Sequence, residues 1–265
     1  YSTDSALTPL AGTTTATRQL YMSGNAALQA SSAVRKVLLD RAAEYFQDAP
    51  ENLDLADSKV FVRSDPETSL PLAELASLCA SEGLQLSNLA LFKAPFTEKP
   101  DPENLQGDIF PDFTFGAHAV EVAVDTETGE ITLLKSVGCH DVGRAINPAA
   151  VIGQIVGGSA QGIGQALMED LVVEKGIIQT PSLSEYLIPT AKDLPMTKVI
   201  ILESGTGVGP FGAKGIGKPA LTPAAPSVAN AVARAIGVRI HELPLTPERV
   251  LAALKRVQSE KQRDG

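Results

Sequence analysis

Between Asn25 and Phe46 the apolar residues Ala27, Ala30, Val34, Leu38, Ala42 and Tyr45 recur every three or four positions. Arg35, Lys36, Asp40 and Arg41 lie between them, and this spacing predicts an amphipathic helix. Residues 1–24, rich in Ser, Thr and Gly, carry no helical period. Lys59-Val60-Phe61-Val62 reads as a short strand followed by a turn at Ser64-Asp65-Pro66. A second helix is expected over residues 71–81, stopped by Gly83, since glycine takes the left-handed conformation at helix ends most readily. Residues 93–112, rich in Pro and Asp, predict a loop.

Two strands then follow, at residues 113–124 and 131–139, joined by Asp125-Thr126-Glu127-Thr128-Gly129-Glu130. Val120, Val122 and Val124 alternate with Glu121 and Ala123, as in a half-buried hairpin strand. Asn147-Pro148 opens a helix expected to run to about Asp170, whose end Glu169-Asp170 reads as a solvated acidic pair. A small hairpin is expected around Lys175-Gly176, and a strand at residues 199–202 leads into a glycine cluster. Helices at residues 225–236 and 247–257 close the chain, with a frayed polar tail at 258–265. Strands and helices mix without strict alternation, which predicts an α+β fold. The expected division is an N-terminal portion at 1–112, a second portion at 113–257 and the tail.

Composition narrows the chemistry. Over 265 residues, 22 basic against 31 acidic side chains leave a net charge of −9, which repels phosphate backbones and anionic lipid. A nucleic-acid partner and a membrane surface are therefore not expected, and no apolar run is long enough for a membrane segment. Cys79 and Cys139 cannot supply an iron–sulfur or four-thiolate site and read as buried free thiols in a reducing compartment. That predicts the cytoplasm, with the periplasm left open. His118, His140 and His241 lack metal-ligand spacing, and His140-Asp141 reads as a buried structural pair at a strand end. A chain beginning at Tyr1 is expected to be a fragment, a processed piece or one part of a larger assembly.

Glycine is concentrated in two places. Gly153, Gly157, Gly158, Gly162 and Gly164 fall in one predicted helix, where each costs ~0.8–1 kcal/mol relative to alanine. Two offsets are open: close packing against another backbone, or a large ligand on a bare face with Gln154 and Gln161 as amide partners. The second cluster, residues 205–219, exposes backbone N–H groups able to cradle an anion. Gly207-x-Gly209-x-x-Gly212 matches a dinucleotide fingerprint, but Pro210 and the glycines after it leave no helix to open. Gly212-x-x-x-x-Gly217-Lys218 matches most of a phosphate-binding loop, yet Pro219 stands where Mg²⁺ needs a hydroxyl. A nucleotide-binding loop is the weakest alternative.

The order of motifs is more specific than any one of them. Gly116-Ala117-His118-Ala119-Val120-Glu121-Val122 precedes His140-Asp141-Val142-Gly143-Arg144-Ala145-Ile146-Asn147-Pro148 and Gly153-Gln154-Ile155-Val156-Gly157-Gly158-Ser159-Ala160-Gln161-Gly162. Glu185-Tyr186-Leu187-Ile188-Pro189, Gly212-Ala213-Lys214-Gly215-Ile216-Gly217 and Leu243-Pro244-Leu245-Thr246-Pro247-Glu248 follow. With Thr14-Thr15-Ala16-Thr17-Arg18 at the start, this succession resembles the C-terminal part of the molybdenum-cofactor-binding large subunit of the xanthine dehydrogenase and aldehyde oxidoreductase family of molybdenum hydroxylases.

The resemblance implies the second half of a molybdopterin-binding domain and, as cofactor, molybdopterin or its cytosine dinucleotide form. It also implies hydroxylation of an aldehyde or N-heterocycle with water as oxygen source. Three partner chains are implied: one carrying the N-terminal half of the molybdenum subunit, one with iron–sulfur clusters and one with FAD. Thr15, Ala16, Thr17 and Arg18 match the segment holding the pterin and its phosphate, so the pterin-contact segment is placed at 12–18. Gln154 matches a glutamine bonded to the cofactor, and Gly215, Ile216 and Gly217 match the loop beside the molybdenum. Lys218 stands where the family has its catalytic glutamate. A lysine ammonium at neutral pH donates a proton and does not accept one. Lys218 thus points to an anion contact, to altered chemistry, or to a structural half-subunit without turnover.

Overall fold

The computed structural model of the chain describes residues 4, 6–8, 10–94 and 98–263, with the side chains at 260–263 excepted. Contacts divide the chain into two compact units, Tyr1–Thr13 with Gln19–Pro95, and Thr14–Arg18 with Phe96–Gly265.

In the first unit, helix α1 (Asn25–Phe46) and helix α2 (Leu72–Ser81) pack with an antiparallel sheet. Its strands are β1 (Leu53–Ala56), β2 (Lys59–Val62) and β3 (Asp65–Pro71), in that order. Leu38, Leu39, Ala42, Leu53, Val60, Leu70, Leu75 and Cys79 form the core, and burial pushes the Cys79 thiol up. Three expectations need correction here. The turn expected at Ser64-Asp65-Pro66 falls at Arg63-Ser64, and Asp65 and Pro66 already belong to β3, which pairs Val60 with Leu70; as an edge strand it tolerates two prolines. Tyr45 is exposed, and Phe46 takes its place against the core. A π-helical stretch, Leu20–Gly24, runs into α1, and its wider turn hides it from a 3.6-residue period.

The second unit is built on a three-stranded sheet, β4 (Gly116–Val124), β5 (Ile131–Asp141) and β8 (Thr197–Leu202), with β5 central. β4 runs antiparallel to β5 and β8 runs parallel to it. A parallel pair needs a long crossover, and helix α3 (Pro148–Leu167) lies within it. Asn147 starts α3 by accepting the Ala150 N–H at 3.0 Å, with Pro148 in the first turn. The crossover also holds the short hairpin β6 (Val173–Glu174) and β7 (Ile177–Ile178), which turns through Lys175 and Gly176 at positive φ.

Helices α4 (Ala224–Ile236) and α5 (Pro247–Arg263) complete the unit. Ile163 and Ala166 of α3 meet Val228 and Val232 of α4, Leu133 of β5 and Ala253 of α5 in one core. A second core joins Val142, Val151, Ile155, Ile216 and Ala220.

Two corrections apply to this unit. α3 ends at Leu167, and Glu169 is half-buried beyond it, accepting the Tyr186 hydroxyl at 2.7 Å instead of closing a solvated helix end. The tail expected to fray from residue 258 continues α5 in helical backbone to Arg263; residues 264–265 lie outside the described ones. Among the described residues, no helix is long and apolar enough to cross a membrane.

Candidate functional site

The glycines of α3 separate into two groups. A Cβ on Gly158 would lie 2.6 Å from the Ala220 methyl, and one on Gly162 would lie 2.6 Å from that of Ala224. One on Gly164 would collide with the Glu169 carboxylate and Pro189. These three are glycine because neighbours press on the helix. Gly153 and Gly157 face open space, with nothing within 4 Å of the missing Cβ. They lie on the exposed first half of the helix with Ile152, Gln154 and Val156. No hydrogen bond from the Gln154 amide reaches another described residue, so both its donors and its acceptor are free for a ligand. The two offsets open at the sequence level thus both occur, on different turns of one helix. Gln161 is exposed as well.

The second glycine cluster folds back over the end of β5. Gly205 N–H donates to the Gly143 carbonyl at 2.9 Å, Gly207 N–H to Gly212 at 2.9 Å, and Lys214 N–H to Val142 at 2.8 Å. A Cβ at Gly207 would lie 2.1 Å from the Ala213 carbonyl oxygen, so the two arms of the loop approach too closely for any side chain there. The loop is anchored at two points. Ile216 is buried with Val151 and Ile155 of α3. Lys214, 7% exposed, places its ammonium 2.7 Å from Asp141 and 5.6 Å from the centre of the Phe115 ring.

Asp141 also accepts the Gly143 N–H, the Ser204 N–H and the Ser204 hydroxyl. Burial opposes ionisation of this carboxyl, but Lys214, Gly143 and Ser204 outweigh it and hold the group well below the usual carboxylate range. Neither Asp141 nor Lys214 stands out in the sequence as a pair. One is the residue after a histidine and the other a lysine among glycines, and only the fold makes them partners 73 positions apart.

Against this loop lies the Thr14–Arg18 segment, which belongs to the second unit. Arg18 N–H donates to the Thr15 carbonyl at 2.8 Å, closing a turn whose central residues, Ala16 and Thr17, have φ of 48° and 61°. Left-handed backbone at two successive non-glycine residues is strained, and such strain is stored where surrounding contacts enforce it. The enforcing contact is local. Gly217 N–H donates to the Thr17 hydroxyl at 3.2 Å, and a Cβ on Gly215 would come within 3.2 Å of that oxygen. Thr114 donates its hydroxyl to the Gly215 carbonyl at 2.9 Å. The fold thus brings Ala16 and Thr17 together with Gly215 and Gly217, with Thr15 and Arg18 in the same turn. Gln154 sits apart from them on α3, joined through Ile155 to the core that also holds Ile216.

Lys218 is exposed, and its carbonyl accepts the Leu221 N–H at 3.1 Å within a run of turns. The next helix, α4, starts only at Ala224, so no helix N-terminus follows Lys218 to grip a phosphate as a nucleotide loop requires. Beneath α3 lies a polar layer in which the expected His140-Asp141 pair does not form, because adjacent strand residues face opposite ways and Asp141 bonds Lys214 on the other face. His118 shares a 3.0 Å bond with Ser136, which shares one of 2.9 Å with Thr197. His140 is fully buried, with neither ring nitrogen hydrogen-bonded among the described residues. Burial, and then the neighbouring His140, lowers the affinity of His118 for protons; burial does the same to His140. Among the described residues no three His, Cys, Asp or Glu side chains are grouped to hold a metal ion.

Comparison with known proteins adds the following. The profile of the molybdopterin cofactor-binding domain matches residues 1–195. The putative xanthine dehydrogenase molybdenum-binding subunit of Escherichia coli K12 is 30% identical over 255 residues, covering 93% of this chain and 32% of that protein. The structure of quinoline 2-oxidoreductase from Pseudomonas putida 86 superposes with a TM-score of 0.68 at 31% identity, over 84% of this chain and 28% of that one. Cu,Mo-CO dehydrogenase shares the fold, with a TM-score of 0.75 at 21% identity over 96% of this chain and 31% of that one. The chain therefore spans about a third of the length of the relatives it matches.

Proposed function

The chain belongs to the family of molybdopterin cofactor-binding domains, and from that premise we propose that it forms one wall of the cofactor site in a molybdenum hydroxylase. The reaction is oxidation of an aldehyde or an N-heterocycle with water as the oxygen source. One observation carries the reading: Gly153 and Gly157 give up roughly 2 kcal/mol of helix propensity with no neighbour to account for it, beside an unengaged Gln154 amide. A ligand laid on that face accounts for both.

In this reading Thr15, Ala16, Thr17 and Arg18 hold the pterin and its phosphate, Gln154 bonds the cofactor, and Gly215, Ile216 and Gly217 line the side nearest the metal. The exposed backbone and absent side chains fit a flat, polar, anionic group. When bound, the cofactor supplies the two-electron oxidation. This chain supplies position. Asp141 and Lys214 fix the loop, Ile216 anchors it to α3, and Thr17 locks the facing turn.

Lys218 occupies the family's glutamate position with an exposed cation, suited to contact an anionic substrate or a cofactor phosphate. General-base assistance, typically worth ~10²–10⁴-fold, then comes from elsewhere or is missing. That departure also favours a second reading, in which the chain is a structural half that binds cofactor without turnover.

Molybdopterin or its cytosine dinucleotide form is the cofactor. Iron–sulfur clusters reside on a partner chain, since two cysteines are too few to hold one, and FAD resides on another. A further partner carries the N-terminal half of the molybdenum subunit, and the assembly is cytoplasmic. Elemental analysis of native complexes containing this chain is expected to find molybdenum, and its absence sinks the reading. Lys218→Glu is expected to raise turnover; no change in rate removes that position from the proton-transfer chemistry. Molybdenum that no aldehyde or N-heterocycle reduces selects the structural reading.

A further inference from the structure

Within the second unit, the described residues cover the sheet β4–β5–β8 on one side only. Gly138, Val199 and Ile201 face α3, where Ile155 lies against Gly138. The strand pairing places Ala117, Cys139 and Ile200 in one row across the opposite face, and Ala119, Val137 and Lys198 in the next. Beyond them stand Leu202, 51% exposed, and Phe115, 70% exposed, while Ile200 is 39% exposed.

A sheet face meant for water alternates polar with apolar residues, whereas a strand buried on both faces reads as a continuous apolar run. β8 ends Val199-Ile200-Ile201-Leu202, the second pattern, yet every other one of these residues is bare. The strand is therefore composed for a neighbour that the described residues of this unit do not supply.

We propose that this face is the docking surface for the remainder of the molybdenum-binding subunit, the part lying outside the third that this chain matches. The proposal rests on the reading above that the chain builds one wall of a cofactor site. Three observations select this occupant. The relatives carry about twice as much additional chain in the same subunit. The bare face runs into Phe115 and Leu202, which flank the Asp141–Lys214 pair holding the candidate cofactor loop, so whatever covers it also closes that loop. The charge on the face is one-sided as well. Glu121 is already paired with Lys135 at 2.7 Å, while Lys198 has no ion pair among the described residues. Two copies meeting through this same face would bring Lys198 no unpaired carboxylate, whereas a different polypeptide can.

The test uses the native complex, treated with a lysine-reactive cross-linker and, separately, with a maleimide. Lys198 is expected to cross-link to a peptide from the remainder of the molybdenum subunit. Cys139 is expected to label about tenfold more slowly in that complex than in one carrying Ile200→Lys, as for a thiol inside a water-excluding interface. If Ile200→Lys prevents assembly, the wild-type cross-links alone decide. Cross-links from Lys198 only to a second copy, or to an iron–sulfur or flavin chain, overturn the proposal. So does a Cys139 that labels equally fast in both complexes. Molybdenum content of the same samples is a separate outcome: its absence sinks the cofactor reading and leaves the docking face standing.

Discussion

The two halves of α3 use glycine for opposite purposes. Toward its C-terminal end, Gly158, Gly162 and Gly164 let Ala220, Ala224 and Pro189 approach the helix. Toward its start, Gly153 and Gly157 leave a face open beside Gln154. A packed glycine has its cost offset inside the chain. An open one does not, and its cost is offset only when something outside the chain arrives. One helix thus shows in a single stretch the difference between residues chosen for stability and residues chosen for a ligand.

The comparison can be broken most forcefully at the clamp that holds the loop against the open half. Asp141→Asn leaves the Lys214 ammonium buried without its counter-charge and is expected to destabilise the second unit by about 3–5 kcal/mol. Urea denaturation followed by circular dichroism measures this, and a loss below about 1 kcal/mol rules out the clamp.

A sharper contrast comes from the glycines themselves. Gly162→Ala puts a methyl 2.6 Å from that of Ala224 and 2.9 Å from the Leu221 carbonyl, and is expected to cost about 1–3 kcal/mol. Gly153→Ala and Gly157→Ala are expected to do the reverse, each stabilising the chain by about 0.8–1 kcal/mol while lowering molybdenum retained per complex. Equal effects at all three positions erase the distinction between the halves.

The smallest expected effect is a pH slope from the layer beneath α3. The half-buried ring of His118 and the buried ring of His140 bind protons less readily in the fold than in the unfolded chain, whose imidazoles titrate near ~6.5. Their contribution is therefore complete above that value and is lost progressively as pH falls below it. Asp141, also depressed, loses its contribution only in stronger acid, below the ordinary carboxylate value of about 3.9. Stability that declines between about pH 6.5 and 5 reports the histidines alone. A flat profile across that window removes them as buried neutral groups.

Much of this was legible in the chain, and the illegible parts share a cause. α1, the hairpin strands, α3 and α4 follow from periodicity because local spacing and one buried face define them. β3, written Asp-Pro-Glu-Thr-Ser-Leu-Pro, has no strand signature and exists because β2 offers it an edge. Similarly, the motif order marked Thr15, Ala16, Thr17, Arg18, Gln154, Gly215, Ile216 and Gly217 as candidates, but not how they meet. That Thr17 would bond Gly217, 200 positions away, depends on a strained turn that no local preference dictates.

The sequence by itself determined the α+β elements, the glycine-rich helix and loop, and the lysine at position 218. Those depend on residue types and their near neighbours. Only the tertiary structure decided which glycines are pressed and which are bare, that Asp141 and Lys214 form the clamp, and that the described residues of the second unit leave one face of β4–β5–β8 uncovered. Burial and charge pairing are properties of surfaces brought together across long stretches of chain. A glycine acquires its meaning from what stands opposite it, and that is set by packing.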